Sequence, residues 1–141
     1  MALILIVEDE RSIRQAIQFE LNDVGYEVHC ACNFQEALSA LRAFEYDLII
    51  SDIYLQDGNG IELMNIARKM NKQVPYIAIS AFPESELAIQ VKQSLKDRFI
   101  KKPFDVEQIK SKAREILKDT YKAQGGMSQP ALLQAPRGER E

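Results

Sequence analysis

Five short apolar runs, separated by amphipathic stretches, divide most of the chain. Runs that are apolar at nearly every position are typical of strands buried on both faces, as in a parallel sheet covered by helices. Between the runs, apolar residues recur at helical spacing, and Asn33-to-Glu36 and Asp105-to-Gln108 are capping-box patterns at two predicted helix starts. The runs span residues 3–7, 27–31, 48–50, 76–79 and 98–100.

Strict alternation of five strands with five helices predicts an α/β fold, a doubly wound five-stranded parallel sheet with right-handed crossovers. Three of the six glycines and two of the five prolines follow Lys122, and no periodic pattern continues beyond it. We therefore expect one domain over residues 1–120 and a flexible tail or linker stub over residues 121–141.

Composition narrows the classes of function. The 18 basic and 21 acidic residues give a formal net charge of −3, which argues against a strongly basic nucleic-acid binder. No apolar stretch approaches the roughly 20 residues of a membrane-spanning helix, and the first apolar run lacks the basic lead-in of a secretory leader. We expect a cytoplasmic protein with no direct DNA binding and no membrane association.

Ionisable and hydroxyl side chains follow four of the five predicted strands, and in doubly wound sheets ligands bind beyond the carboxyl ends of the strands. Two carboxylates about 4 Å apart repel by roughly 4 kcal/mol at an effective dielectric of 20. A cluster of acids there needs a cation, and Mg²⁺ binds through few carboxylates together with water and phosphate oxygens. The residues are Glu8 and Asp9 after the first run, Asp52 after the third, Ser80 after the fourth and Lys102 after the fifth.

Together these groups predict a phosphoryl-transfer site. Asp52 is the candidate nucleophile, Mg²⁺ and Lys102 would neutralise the phosphoryl oxygens, and Ser80 would donate a hydrogen bond to one of them. Each residue alone has an ordinary structural explanation, since acids after strands often cap helices and a Lys-Pro pair often lies in a turn. Their joint occurrence, each at the end of a different strand, favours the site.

These residues resemble the receiver domains of two-component response regulators, in particular the stand-alone chemotaxis and sporulation types, over residues 1 to about 118. The resemblance implies a flavodoxin-like sheet of order 2-1-3-4-5 and a cis Lys102–Pro103 bond. Glu8 stands where aspartate is common. The motifs are Val7-Glu8-Asp9-Glu10, residues 47–52, residues 55–60, Ile79-Ser80-Ala81 and residues 99–104.

The resemblance also implies roles for these residues. Asp52 would accept a phosphoryl group from a sensor histidine kinase or phosphotransfer protein, and Ser80 and Lys102 would contact that group. Mg²⁺ would be the cofactor. Its ligands would be Glu8, Asp9, Asp52 and the main-chain carbonyl of Tyr54.

As a family member the chain would be a signalling switch, not a metabolic enzyme. Ser80 and Phe99 would be the switch residues, and the face around the fourth helix, fifth strand and fifth helix would bind an output protein that the sequence does not identify. The protein would be a monomer or a phosphorylation-dependent dimer. Tyr54 and Phe82 stand at positions that tune hydrolysis in this family, and their bulk predicts slow loss of phosphate.

Three alternatives stay open on the sequence. A haloacid-dehalogenase-like phosphatase would place a second aspartate two residues after its nucleophile, where this chain has Tyr54. A receiver that acts only as a docking module would usually lack part of the acidic and basic set. The third alternative is a receiver cut from a longer regulator.

Cys30 and Cys32 are the two cysteines. Their spacing places them on one face of the second predicted strand, and we expect them in the buried core, not in a metal or redox site. His29 should lie on the opposite face.

Overall fold

The structure, a computed structural model, describes residues 2–71, 73–95 and 98–123, with side chains up to residue 118. Strands and helices alternate as the sequence predicts, with one additional small hairpin. In chain order the elements are β1 (Leu3–Val7), α1 (Arg11–Asp23), β2 (Glu27–Ala31), α2 (Phe34–Ala43), β3 (Leu48–Asp52), β4 (Tyr54–Leu55), β5 (Gly58–Asn59), α3 (Gly60–Met70), β6 (Tyr76–Ser80), α4 (Glu86–Leu95), β7 (Phe99–Lys101) and α5 (Val106–Ala123).

The main sheet has the order β2-β1-β3-β6-β7, and all of its strand pairs are parallel. This confirms the predicted doubly wound sheet, in which β6 and β7 are the fourth and fifth strands. The antiparallel β4–β5 hairpin was not predicted, because strands of two residues carry no hydrophobic period. It forms the loop that follows Asp52.

Two apolar layers sandwich the sheet because successive strand side chains point to opposite faces. Alternate β1 residues enter different layers, with Leu5 on the side of α2, α3 and α4 and Ile4 on the side of α1 and α5. Each helix contributes a buried stripe, such as Leu63 of α3 and Ile109 of α5. The central strands are therefore buried on both faces, and their free ends form one edge of the sheet.

Asparagines start two of the helices. The side chains of Asn33 and Asn59 accept hydrogen bonds from main-chain nitrogens three residues on, at 2.8 and 2.9 Å, and so cap α2 and α3. The predicted capping box at Asn33 is half formed, since the Glu36 carboxylate accepts from the nitrogen of Cys32 instead. At the start of α5, Gln108 accepts from the main-chain nitrogen of Asp105 at 3.1 Å.

Helix α5 continues to Ala123, three residues past the expected domain boundary. The rest of the expected tail lies outside the described residues, so that assignment stays a prediction. Within the described ranges, no helix combines the length and the apolar character needed to cross a membrane.

The prediction that both cysteines are buried is wrong. Cys30 is exposed and Cys32 is partly exposed, and both are free thiols. The physical reason is that β2 is the edge strand and has β1 alone as its neighbour, so helices do not cover its outer side fully. Cys32 lies beyond the end of β2. His29 is on the other face, as expected, where its Nδ1 lies 2.7 Å from the Tyr46 hydroxyl.

Gly60, the first residue of α3, lies against the main chain at the end of β3. A Cβ at this position would be 2.7 Å from the carbonyl oxygen of Asp52 and 3.0 Å from the Cα of Ile53. We expect Gly60→Ala to lower the free energy of unfolding by about 1–3 kcal/mol, because backbone must shift to accommodate the methyl group. Urea denaturation followed by circular dichroism measures the loss.

Gly58→Ala is the matched control. Its Cβ would approach the Phe34 ring at 2.8 Å, and a side chain can rotate where main chain cannot, so a smaller loss is expected. Equal stability of the Gly60→Ala variant and the wild type would contradict the argument.

Candidate functional site

The predicted site residues lie at one edge of the sheet because the register aligns the strand ends. Val7 is opposite Ser51, Asp52 is opposite Ile79, and Ser80 is opposite Lys101. The residues that follow these positions therefore meet at the carboxyl edge. They are Glu8, Asp9, Asp52, Ser80 and Lys102.

Three carboxylates converge there. One oxygen from each of Glu8, Asp9 and Asp52 lies within 4.8 Å of the others. Glu8 is 0% exposed and Asp52 is 6% exposed, whereas Asp9 is on the surface. The cluster thus has a buried base and an open rim, with Asp52 between them.

Lys102 supplies positive charge to the buried part of the cluster. Its Nζ donates a hydrogen bond to Asp52 Oδ2 at 2.8 Å and to Glu8 Oε2 at 3.2 Å, and it lies 3.0 Å from Glu8 Oε1. Burial alone would lower the pKa of Lys102, but the hydrogen bond that its ammonium donates to Asp52 and the charges of both carboxylates outweigh this effect and raise the pKa. Lys102 therefore stays protonated, and its one ammonium is shared by two carboxylates, which leaves the cluster with excess negative charge.

The surroundings of Glu8 disfavour its ionised form. Burial, and then the charge of Asp52, raise its pKa from 4.5 to about 7, against the opposing effects of the Glu10 main-chain nitrogen and Lys102. In the described part of the chain, Glu8 Oε1 is fully buried and accepts no well-directed hydrogen bond, and its polar contact is the Lys102 ammonium 3.0 Å away. Two or three hard oxygen donors with one unsatisfied lone-pair site and excess negative charge fit a small divalent cation such as Mg²⁺.

The raised pKa of Glu8 predicts an unusual pH dependence of stability in metal-free buffer. Between pH 4.5 and about 7 the folded protein binds the Glu8 proton more tightly than the unfolded chain, so the contribution of Glu8 to stability is full below 4.5 and lost as pH rises through 7. We expect the free energy of unfolding to fall by roughly 2 kcal/mol from about pH 5.5 to about pH 8.5 on this account.

Denaturation curves with a chelator present, at several pH values, measure this slope. Glu8→Gln should flatten it, since the amide does not titrate. The same slope in the wild type and the Glu8→Gln variant would contradict the assignment.

Tyr54 contacts the Asp52 carboxylate, and Ser80 directly follows Ile79, the residue opposite Asp52 in the sheet. Ser80 is fully buried, and its Oγ accepts a hydrogen bond from the main-chain nitrogen of Phe82 at 2.9 Å. The main-chain nitrogen of Tyr54 donates to Asp52 Oδ1 at 3.2 Å. The Tyr54 and Phe82 rings pack edge to face, with their centroids 5.7 Å apart, and Phe82 is 62% exposed.

Phe99 lies at the start of β7, away from the carboxylates. It is half-buried and packs against the core layer of α2, α3 and α4, with the Lys92 ammonium 5.0 Å from the centre of its ring. The Lys102–Pro103 bond is cis, as the resemblance implied.

Two contacts at the site were not anticipated from the sequence. Arg14 of α1 donates to the main-chain carbonyl of Glu8 at 2.8 Å, which fixes the chain next to the acid. Ser85 accepts from the nitrogen of Ala88 at 3.1 Å and so caps α4. A serine directly before a helical stretch is a recognisable N-cap signature, whereas no local pattern reveals the Arg14 contact.

Comparison with known proteins agrees with this geometry. A family model described as the response regulator receiver domain matches residues 4–114. The response regulator ArlR of Staphylococcus aureus is 35% identical over 120 residues, which are 84% of this chain and 53% of ArlR. The sensor kinase CckA of Brucella abortus is 30% identical over 118 residues, which are 82% of this chain and 12% of CckA. The chain thus spans about half the length of one relative and a small part of the other.

Solved structures show the same architecture. A CheY-like receiver domain from Methanospirillum hungatei has 28% identity and a TM-score of 0.80, covering 87% of this chain and 98% of that one. The response regulator TrrA of Thermotoga maritima, solved in complex with Mg²⁺ and BeF, has 31% identity and a TM-score of 0.71, covering 82% of this chain and 99% of that one. The chain belongs to the response regulator receiver domain family.

Proposed function

We propose that this receiver domain is a phosphorylation switch of a two-component or phosphorelay system, with Asp52 as the phosphoryl acceptor. A sensor histidine kinase or a phosphotransfer protein is the donor, and the setting is the cytoplasm. The observation that carries the proposal is the position of the Asp52 carboxylate, 2.8 Å from the Lys102 ammonium and within 4.8 Å of two further acids, between the buried base and the open rim of the cluster.

The transfer step needs one nucleophile and one leaving group. A carboxylate oxygen of Asp52 attacks the phosphorus of a phosphohistidine, a P–O bond forms, and the P–N bond breaks. The electron pair of that bond returns to the imidazole nitrogen of the donor. The product is an acyl phosphate, and later attack by water on phosphorus regenerates the carboxylate and releases inorganic phosphate.

Lys102 would stabilise the charge that develops on the phosphoryl oxygens, since its ammonium already contacts Asp52 and is held by Glu8. Ser80 would hydrogen-bond to another of these oxygens. Mg²⁺, when bound, would add positive charge to the same oxygens. Its ligands in this proposal are Glu8, Asp9, Asp52 and the main-chain carbonyl of Tyr54.

Access for the donor is on the side of α1. A depression of about 570 Å³ lies there beside Lys102, between α1 and the chain that follows β7. Ile13 and Ala16 of α1 and Pro103 and Phe104 of the following chain line it. An apolar surface of this kind next to the acceptor supports docking of the donor protein through α1, which would bring its phosphohistidine to Asp52.

The switch in this proposal involves Ser80 and Phe99. Ser80 would move toward the phosphoryl group, and Phe99, already half-buried, would turn further inward. The face formed by α4, β7 and α5 would then change its affinity for an output protein, as a monomer or through a dimer that forms on phosphorylation. A differential affinity of a few kcal/mol is sufficient for such a switch.

Formation of a beryllofluoride or phosphoryl adduct tests the proposal. Full-length protein is mixed with Mg²⁺ and either beryllofluoride or acetyl phosphate, and the adduct is followed by fluorine NMR or by intact mass. An Mg²⁺-dependent adduct is expected. Absence of an adduct and of any Mg²⁺ binding would overturn the proposal in favour of a receiver that acts only as a docking module.

Slow hydrolysis of the acyl phosphate is a further expectation, because the Tyr54 and Phe82 rings stand beside the acceptor and obstruct water. Phe82→Ala should shorten the phosphoryl half-life severalfold, and a factor of about five corresponds to about 1 kcal/mol in the barrier. The decay of phosphorylated protein, measured by mass spectrometry after the donor is removed, checks this. Phe44→Ala is the control. It also removes an exposed ring, but Phe44 lies in the chain before β3 begins. A wild-type half-life of seconds would contradict the expectation.

A further inference from the structure

The loop between β6 and α4 is attached at both ends to residues of the acceptor site. At its start, the nitrogen of Phe82 donates to the Ser80 hydroxyl at 2.9 Å. At its end, Ser85 forms a hydrogen bond with the hydroxyl of Tyr54. Tyr54 and Ser85 are 31 residues apart in the chain, so this second attachment joins two separate loops.

Tyr54 makes contacts at both of its ends. Its main-chain nitrogen donates to Asp52 Oδ1 at 3.2 Å, and its hydroxyl forms a hydrogen bond with Ser85. The Tyr54 and Phe82 rings pack edge to face. The phenol ring is rigid, and its packing against Phe82 and its hydrogen bond to Ser85 restrict the two side-chain torsions that join it to the main chain. A shift of the Tyr54 main chain that follows a change in the hydrogen bonding of Oδ1 is therefore passed to the hydroxyl.

Ser85 in turn fixes the first turn of α4. Its Oγ accepts from the nitrogen of Ala88 at 3.1 Å, and its carbonyl accepts from the nitrogen of Ile89 at 3.0 Å. An N-cap serine is worth about 1 kcal/mol to a helix. The partner of the Tyr54 hydroxyl is thus the residue on which the start of α4 depends.

We propose that the Tyr54–Ser85 hydrogen bond is a clasp that couples the state of the Asp52 carboxylate to the first turn of α4. This inference rests on the proposed phosphorylation of Asp52 and identifies the residues that would connect Asp52 to the output face. Esterification of Asp52 changes the charge and geometry at the oxygen to which the Tyr54 nitrogen donates. The ring then carries the change to Ser85 and weakens or strengthens the cap of α4. Tyr54 is a positioning residue in this route and takes no part in bond making.

The first test uses the unmodified protein and amide hydrogen exchange measured by NMR. In Tyr54→Phe, the Ala88 and Ile89 amides should exchange about fivefold faster, the equivalent of one hydrogen bond of about 1 kcal/mol. The amides of Ile50 and Ile77 in the core strands serve as the internal reference for global stability. Tyr26→Phe is the matched control, because Tyr26 packs on the opposite face of the sheet, and should leave α4 unchanged.

A double-mutant cycle separates the clasp from a general effect of the ring. In a Ser85→Ala background, Tyr54→Phe should add no further acceleration of exchange at Ala88 and Ile89. A fivefold effect that persists without Ser85, or no effect in the single variant, would overturn the inference.

The second test adds Mg²⁺ and beryllofluoride. In the wild type, the adduct should change exchange in the first turn of α4, and in Tyr54→Phe, compared at an equal fraction of adduct measured by fluorine NMR, this change should shrink by about half or more. An equal response in both proteins, or an adduct without any response in α4, would overturn the clasp and leave the proposed function standing. A wild-type protein that forms no adduct would overturn the proposed function, and the coupling with it.

Discussion

Asp52→Asn is expected to accept no phosphoryl group from acetyl phosphate or a phosphohistidine donor, a loss of at least about 10⁴-fold in rate. The amide oxygen of asparagine is a poor nucleophile, and Glu8, which also contacts the Lys102 ammonium, is fully buried and closed to a donor. The substitution also removes one of the three acids of the cluster. Intact mass after incubation with the donor and Mg²⁺ measures the result.

Asp23→Asn is the matched control for this prediction. Asp23 is the last residue of α1 and is exposed, so the same chemical change there should leave phosphorylation at the wild-type rate. Phosphorylation of the Asp52→Asn variant at a comparable rate would show that another residue is the acceptor, and peptide mapping would then identify that residue.

Lys102→Met is expected to have the second-largest effect. The variant keeps the aliphatic bulk of the side chain but leaves the Glu8 and Asp52 carboxylates without their shared ammonium. Removing one partner of a buried ion pair costs about 3 kcal/mol or more. The loss of one preorganised cation should also slow phosphorylation by about 10²-fold or more.

Lys101→Met separates these effects from a change in net charge. Lys101 is the neighbouring residue and is exposed, so its replacement should alter neither stability nor the rate of phosphorylation appreciably. Urea denaturation and the initial rate of adduct formation measure both effects. Added Mg²⁺ should restore part of the stability lost in Lys102→Met, because a divalent cation supplies charge to the same carboxylates. Equal stability of Lys102→Met and Lys101→Met would contradict the role of the ammonium.

The parallel sheet could be predicted from the sequence because the apolar pattern of each strand matches the burial that the strand has in this fold. Continuous apolar runs such as Leu3–Val7 occur where helices cover both faces. The strand order, which the resemblance to receiver domains implied, then determines which strand ends are neighbours. The convergence of Glu8, Asp9 and Asp52 follows from that order alone. It needs no detailed packing information, which explains why the acidic cluster could be predicted.

Features that depend on side-chain packing between distant elements could not be predicted. Cys30 is exposed because β2 is an edge strand whose outer side no helix covers fully, a property of the assembled sheet and not of the local alternation. The β4–β5 hairpin is too short to have a period. The Tyr54–Ser85 hydrogen bond joins two loops whose separation is fixed by helix packing. The sequence of either loop alone therefore does not predict the contact.

The ion pair between Glu8 and Lys102 joins residues 94 positions apart, and Lys102 follows the last strand at the margin of the sheet. A partial chain that ends before Lys102 has the residues of the acidic cluster but lacks the ammonium that contacts Glu8 and Asp52. Under the proposed function, such a chain would accept a phosphoryl group slowly, and Asp52 would become an efficient acceptor only after the fifth strand of the sheet has been translated.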